Sequence, residues 1–136
     1  MALVVDTGPL VALLDASDPD HDACTRLLTG AREDRIVPAP VLVELEYLLR
    51  PVPGAFAKIL DQARAGALVV RDLTAGDLER VGQIVATYAS ASVGFVDAAV
   101  LATVEALSET KVVTLDRRHF SILRPRHVEA LRLLPE

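Results

Sequence analysis

At 136 residues the chain is one domain by length (1–136), and its apolar content of 51% is well above what a disordered segment carries. Aromatics contribute only 4%, with no Trp, so the core must be built from Leu, Val and Ala. A net charge of −5 is not the overall footprint of a nucleic-acid binder. No apolar run approaches the roughly 20 residues needed to span a bilayer. Asp6 interrupts the N-terminal apolar stretch, which no basic region precedes, so a signal peptide is not expected. The lone Cys24 excludes an internal disulfide and fits a reducing cytoplasm.

Residues 3–5 read as a buried strand that ends at Asp6. Thr7-Gly8-Pro9 then opens a short helix through Leu14, with Pro9 at a tolerated first-turn position. Asp18 is suited to cap a helix over about 19–29 that stops at Gly30. A short strand at 36–37 precedes a helix over 40–50, which Pro51 ends. A further helix covers about 54–64 and stops before Gly66. A strand at 68–70 follows, and Thr74 caps a helix reaching about Tyr88. After the small, polar stretch 90–94 comes an Ala-, Val- and Leu-rich helix over 95–108, then strands at 111–115 and 131–134. Apolar strands without alternation, separated by helices, indicate an α/β fold with a mainly parallel sheet of four or five strands covered on both faces.

Four acids stand where apolar segments meet a turn or a helix: Asp6 in ALVVDTG, Glu44 in PAPVLVELEYLL, Asp97 in VGFVDAAVLATVEAL and Asp116 in KVVTLDRRHF. A carboxylate in such surroundings loses hydration and must be paired, neutralised or bound to a cation. Asp6 and Asp116 follow strands at the carboxyl end, where sites lie in open parallel sheets. Asp97 opens a helix that is apolar nearly all round, and Glu44 shares a helical face with Val41, Leu45 and Leu48 that should look inward. Two carboxylates at about 4 Å repel by roughly 4 kcal/mol at an effective dielectric near 20. Bringing four together therefore calls for a cation. Hard oxygen donors suit Mg²⁺ or Mn²⁺, and no Cys/His cluster competes. Thr7 and Thr114 are placed to hold a water or a phosphate oxygen, and Arg117 and Arg118 to contact substrate phosphates.

From Val5 to about Leu123 the chain resembles a PIN-domain ribonuclease of the VapC toxin type. The resemblance is carried by Asp6 with Thr7, Glu44 after Pro38 and Pro40, Asp97 before Ala98-Ala99, and Asp116 after Val113-Thr114. It implies a three-layer α/β/α sandwich. It also implies an endoribonuclease dependent on Mg²⁺ or Mn²⁺ through Asp6, Glu44, Asp97 and Asp116, with tRNA or ribosomal RNA as substrate. A small VapB-like antitoxin and a homodimeric state complete the implied properties.

Other readings compete. Asp6 alone could cap the turn at Gly8, Asp97 could be a helix N-terminal charge, and Asp116 could begin a turn with Arg117. Glu46 and Arg50, spaced i,i+4, read as a solvated ion pair, and the family pattern selects Glu44 instead. His21, His119 and His127 share no metal-ligand spacing and read as surface or half-buried residues. Tyr47, Tyr88 and Phe120 are too scattered for a base-stacking platform. Asp6-Thr7-Gly8 is also an aspartic-protease signature, which would require a nearly all-β dimer. A PIN-like domain that binds RNA or a partner without cutting is the non-enzymatic alternative. The early helices, including 10–14 and 41–49, are expected to offer an aliphatic face to a second copy or an antitoxin helix.

Overall fold

Strand β1 (Ala2–Val5) occupies the middle of a five-stranded sheet in the computed structural model, which describes residues 1–136. The spatial order is β3 (Val69–Arg71), β2 (Asp34–Pro38), β1, β4 (Lys111–Val113) and β5 (Arg132–Leu134). Every neighbouring pair is parallel, with Val4 opposite Ile36 on one side and Val112 on the other. Leu3, Val4 and Val5 are consecutive and all buried, so both faces of β1 are covered. That explains why the strand shows no polar alternation. The all-parallel arrangement also removes the aspartic-protease alternative, whose fold is built almost wholly of antiparallel strands.

Seven α-helices connect and cover the strands: α1 (Thr7–Leu14), α2 (His21–Gly30), α3 (Ala39–Leu48), α4 (Ala55–Arg64), α5 (Ala75–Thr87), α6 (Phe95–Ala106) and α7 (Arg117–Ile122). None is long and apolar enough to cross a membrane. Local chemistry sets several ends. Gly54 precedes α4 with φ 73°, a left-handed conformation that favours glycine. Thr74 and Asp77 form a reciprocal capping box at the start of α5, with bonds of 3.1 and 2.9 Å. α5 is tied to α6 by Arg80 and Glu105, a largely buried bidentate pair at 2.7 and 3.0 Å. Within α6 the run from Ala98 to Val104 is entirely buried, as its composition implies.

Three expectations need correction. α7 follows Asp116, where no helix was expected and a turn with Arg117 was the competing reading; its six residues, RRHFSI, are too few and too polar to display helical periodicity. β4 closes at Val113, two residues before Leu115. The early helices also divide differently between core and surface. In α1, Leu10 and Ala12 are buried, while Val11, Leu13 and Leu14 are half-buried and leave part of that aliphatic face open. In α3, Val41 and Leu45 face inward with Leu49 just beyond, whereas Glu44 and Leu48 lie exposed at the rim beside Val43 and Tyr47.

Because α6 is the most enclosed helix and carries Asp97, its packing should dominate stability. Leu101→Ala, at a fully buried position, should cost about 2–5 kcal/mol in urea denaturation. Leu60→Ala, on the exposed side of α4, should cost less than about 1 kcal/mol by the same measurement.

Candidate functional site

The parallel pairing of β1 and β4 sets Val5 opposite Val113, and the Asp6 amide continues the ladder by donating to the Val113 carbonyl at 2.8 Å. Asp6 and Thr114 therefore leave adjacent strands side by side, at the carboxyl edge of the sheet. The Thr114 hydroxyl donates to Asp6 Oδ2 at 2.8 Å and accepts the Asp116 amide at 3.0 Å. One threonine thus fixes two of the acids. Gly8 keeps the neighbouring helix close: a Cβ there would stand 3.3 Å from Leu115 Cβ, tighter than ordinary contact.

Each remaining acid arrives on its own element. Asp6 caps α1, its Oδ1 accepting the Thr7 amide at 2.8 Å, and is only 5% exposed. Glu44 reaches in from the rim of α3 and accepts the Thr7 hydroxyl at 2.6 Å. Asp97 stands in the first turn of α6, where the helix dipole favours negative charge. Asp116 caps α7, Oδ1 accepting the His119 amide at 3.0 Å while Oδ2 faces the His119 ring. One open pocket of ≈ 430 Å³ is lined by Asp6, Thr7, Glu44, Asp97, Asp116 and His119 among others. Capping and pocket-lining thus coexist in Asp6 and Asp116; the capping role does not remove either carboxylate from the cluster.

Glu46 pairs with Arg50 at 2.7 Å, leaving Glu44 as the residue that turns to the pocket. The hydroxyls of Thr7 and Thr114 both donate to carboxylates, so they orient acids rather than present free donors. Arg117 and Arg118 are exposed and lie outside the pocket lining, with Arg117 donating to the Pro135 carbonyl. Of the aromatics, Tyr47 is on the rim, Phe120 is core, and the Tyr88 hydroxyl accepts the Arg124 amide.

His119 is the residue that the sequence did not single out. Its Nδ1 lies 2.9 Å from Asp116 Oδ2 and 3.0 Å from Asp97 Oδ2, and its Nε2 lies 3.0 Å from the Ala91 carbonyl. The usable signal was local: an acid followed three residues later by His is a cap pair once α7 exists. The helix itself was the part not seen.

The electrostatics follow from this crowding. Burial raises the Asp6 carboxyl above its ordinary range, against the hydrogen bonds from the Thr7 amide and the Thr114 hydroxyl, and the charges of Glu44 and Asp116 push the same way. Burial and then the charges of Asp6 and Asp116 push Asp97 up to about 6. The hydrogen bond to Asp116 raises His119, with the Asp116 charge adding to it. A carboxylate oxygen of Asp97, one of Asp116 and a ring nitrogen of His119 lie within 4.8 Å of one another, a donor set that fits a divalent cation.

Residues 3–124 match the family model described as the PIN domain. The chain is 33% identical over 125 residues to Ribonuclease VapC26 of Mycobacterium tuberculosis, covering 90% of this chain and 93% of that relative. Three solved structures are similar in fold. VapC20 of M. tuberculosis, a Sarcin-Ricin loop cleaving toxin, has TM-score 0.73 at 23% identity, over 81% of this chain and 86% of that one. VapBC2 of Rickettsia felis bound to a DNA fragment from their promoter has TM-score 0.68 at 18% identity, over 98% of both chains. FitAcB of Neisseria gonorrhoeae has TM-score 0.63 at 17% identity, over 86% and 88%.

A raised carboxylate pKa means that the folded state binds the proton more tightly than the unfolded chain. For Asp97 this favours folding at low pH, and the advantage is lost as pH rises from about 4 through about 6. With divalent ions chelated, Asp97→Asn should therefore gain stability relative to wild type across that interval. The gain should reach roughly 1–3 kcal/mol and level off above pH 7. Urea denaturation of both proteins between pH 4.5 and 8 measures it; a difference independent of pH would contradict the assigned coupling.

Proposed function

Because the chain belongs to the PIN-domain family, and within it to the VapC-type proteins, we propose that it is a metal-dependent endoribonuclease acting as the toxin of a toxin–antitoxin pair. Asp6, Glu44, Asp97 and Asp116 form its catalytic and metal-holding set, with Mg²⁺ or Mn²⁺ as the ion. The substrate is a structured RNA, of the tRNA or ribosomal class. One observation carries this reading: four acids from the β1–α1 junction, α3, α6 and the β4–α7 turn line a single pocket at the carboxyl edge of the sheet.

A divalent ion bound there supplies activation of water and stabilisation of charge on the leaving oxygen. The chain's own residues supply the geometry. Asp6, the most enclosed of the four, is held by Thr114 and the Thr7 amide, and Thr7 also holds Glu44. Thr7 and Thr114 are thus positioning residues. Arg117 and Arg118, exposed on the same short helix as His119, are suited to bind RNA phosphates next to the acidic pocket.

The partner of the toxin is a VapB-like antitoxin, and the active form is a homodimer in the cytoplasm. Support comes from the solved VapBC2 complex that this fold resembles and from the exposed Val43, Tyr47 and Leu48 of α3, which offer an apolar contact face.

Purified protein should cleave a labelled structured RNA, and EDTA should stop it. Asp6→Asn and Asp97→Asn should each lower the cleavage rate about 100-fold or more while remaining folded by circular dichroism. Thr7→Val, which frees Glu44, should lower it about 10–100-fold. Saturable RNA binding without any cleavage, in wild type and variants alike, would instead identify a binding domain.

A further inference from the structure

We infer that His119 Nδ1 is itself a ligand of the divalent ion, beside Asp97 and Asp116, and that it shifts the site away from Mg²⁺ towards first-row ions such as Mn²⁺. This inference rests on the reading of the pocket as a metal centre and names a ligand that the carboxylate pattern alone does not include.

The geometry is specific. Nδ1 meets Asp116 Oδ2 at 2.9 Å and also stands 3.0 Å from Asp97 Oδ2, so one ring atom faces both carboxylates. Neighbouring ligands of an octahedral ion with bonds of about 2.1 Å are themselves roughly 3 Å apart. Nδ1 therefore already stands from each carboxylate oxygen at the spacing of adjacent corners of one coordination shell.

The opposite nitrogen defines which ring proton an entering cation would displace. Nε2 lies 3.0 Å from the Ala91 carbonyl, an acceptor only, so Nε2 carries the hydrogen and donates it. Without an ion, Nδ1 also carries a hydrogen, donated to Asp116 Oδ2; a cation entering the site displaces that proton and takes the Nδ1 lone pair beside the two carboxylates. A backbone carbonyl that holds the far ring nitrogen is the usual support for a metal-bound imidazole. The carbonyl comes from the 3-10 turn Ala89–Ala91, outside α7, so two separate segments orient the ring.

An imidazole nitrogen is a softer donor than a carboxylate. It strengthens binding of first-row transition ions and adds little for Mg²⁺, which prefers oxygen. The other histidines are engaged elsewhere: His21 Nδ1 meets the Ala12 carbonyl at 2.7 Å, and His127 Nε2 meets the Glu109 carbonyl. A nitrogen signal from a bound ion in this pocket therefore reports His119.

The test is pulsed EPR of Mn²⁺ bound to the full chain, with calorimetric titration of Mn²⁺ and Mg²⁺ alongside. The expected result is a directly coordinated ¹⁴N coupling that changes on histidine-selective ¹⁵N labelling and vanishes in His119→Gln. The same variant should lose about tenfold in Mn²⁺ affinity and less than about threefold for Mg²⁺. A purely structural role for His119 would lower both affinities equally, which overturns the inference. Saturable Mn²⁺ binding to wild type without nitrogen coupling also overturns it, while leaving the metal centre standing. No saturable Mn²⁺ binding would remove the metal centre and this ligand with it. The labelled wild-type measurement decides even if His119→Gln does not fold.

Discussion

Placing Asp6, Glu44, Asp97 and Asp116 around one pocket is electrostatically unfavourable, and the local design of the protein answers that cost. A pair of carboxylates at about 4 Å repels by roughly 4 kcal/mol at an effective dielectric near 20, a large share of a small domain's total stability. Donors offset part of it: the Thr7 amide and Thr114 hydroxyl on Asp6, the Thr7 hydroxyl on Glu44, and the His119 amide and ring on Asp116. These bonds do not cancel it, since Asp6 and Asp97 still titrate above the ordinary carboxylate range. A divalent cation is the species that converts the residual repulsion into binding energy. The apo site is strained in charge so that the loaded one need not be.

That arrangement depends on rigid supports. β1 and β4 are paired at their carboxyl ends, Val4 with Val112 and Val5 with Val113, and Asp6 extends that ladder by one bond, so the distance between Asp6 and Thr114 is set by sheet geometry. Asp97 is carried by a helix whose following seven residues are all buried. Glu44 differs: it projects from an exposed position on α3 and is held by one hydroxyl. It is accordingly the acid most able to adjust as an ion or a phosphate enters. The neighbouring α3 surface, with Val43 and Tyr47 open to solvent, connects this adjustable acid to an apolar face beside the pocket.

The sequence made the frame legible because its signals were strong and local. Short apolar runs marked the strands, Pro and Gly marked several helix ends, and the acids in ALVVDTG and FVDAAV stood out against their apolar surroundings. Glu44 was legible only through the family pattern, since periodicity alone did not separate it from Glu46; the Glu46–Arg50 pair in the structure agrees with that choice. The assumption that Glu44 shares the inward face with Leu48 was wrong, because both sit one step beyond the buried Val41–Leu45–Leu49 row. His119 was invisible for a different reason. Its place depends on α7, a six-residue helix with two arginines that carries no periodic signal, and on the Ala91 carbonyl, contributed from 28 residues away.

The central claim is that these distant acids share one ion. Anomalous diffraction from crystals soaked in Mn²⁺ addresses it most directly. The account predicts an anomalous peak within coordination distance, directly or through one water, of both Asp6 and Asp97. A peak confined to another surface, or none at millimolar Mn²⁺ and pH above 7, would contradict it.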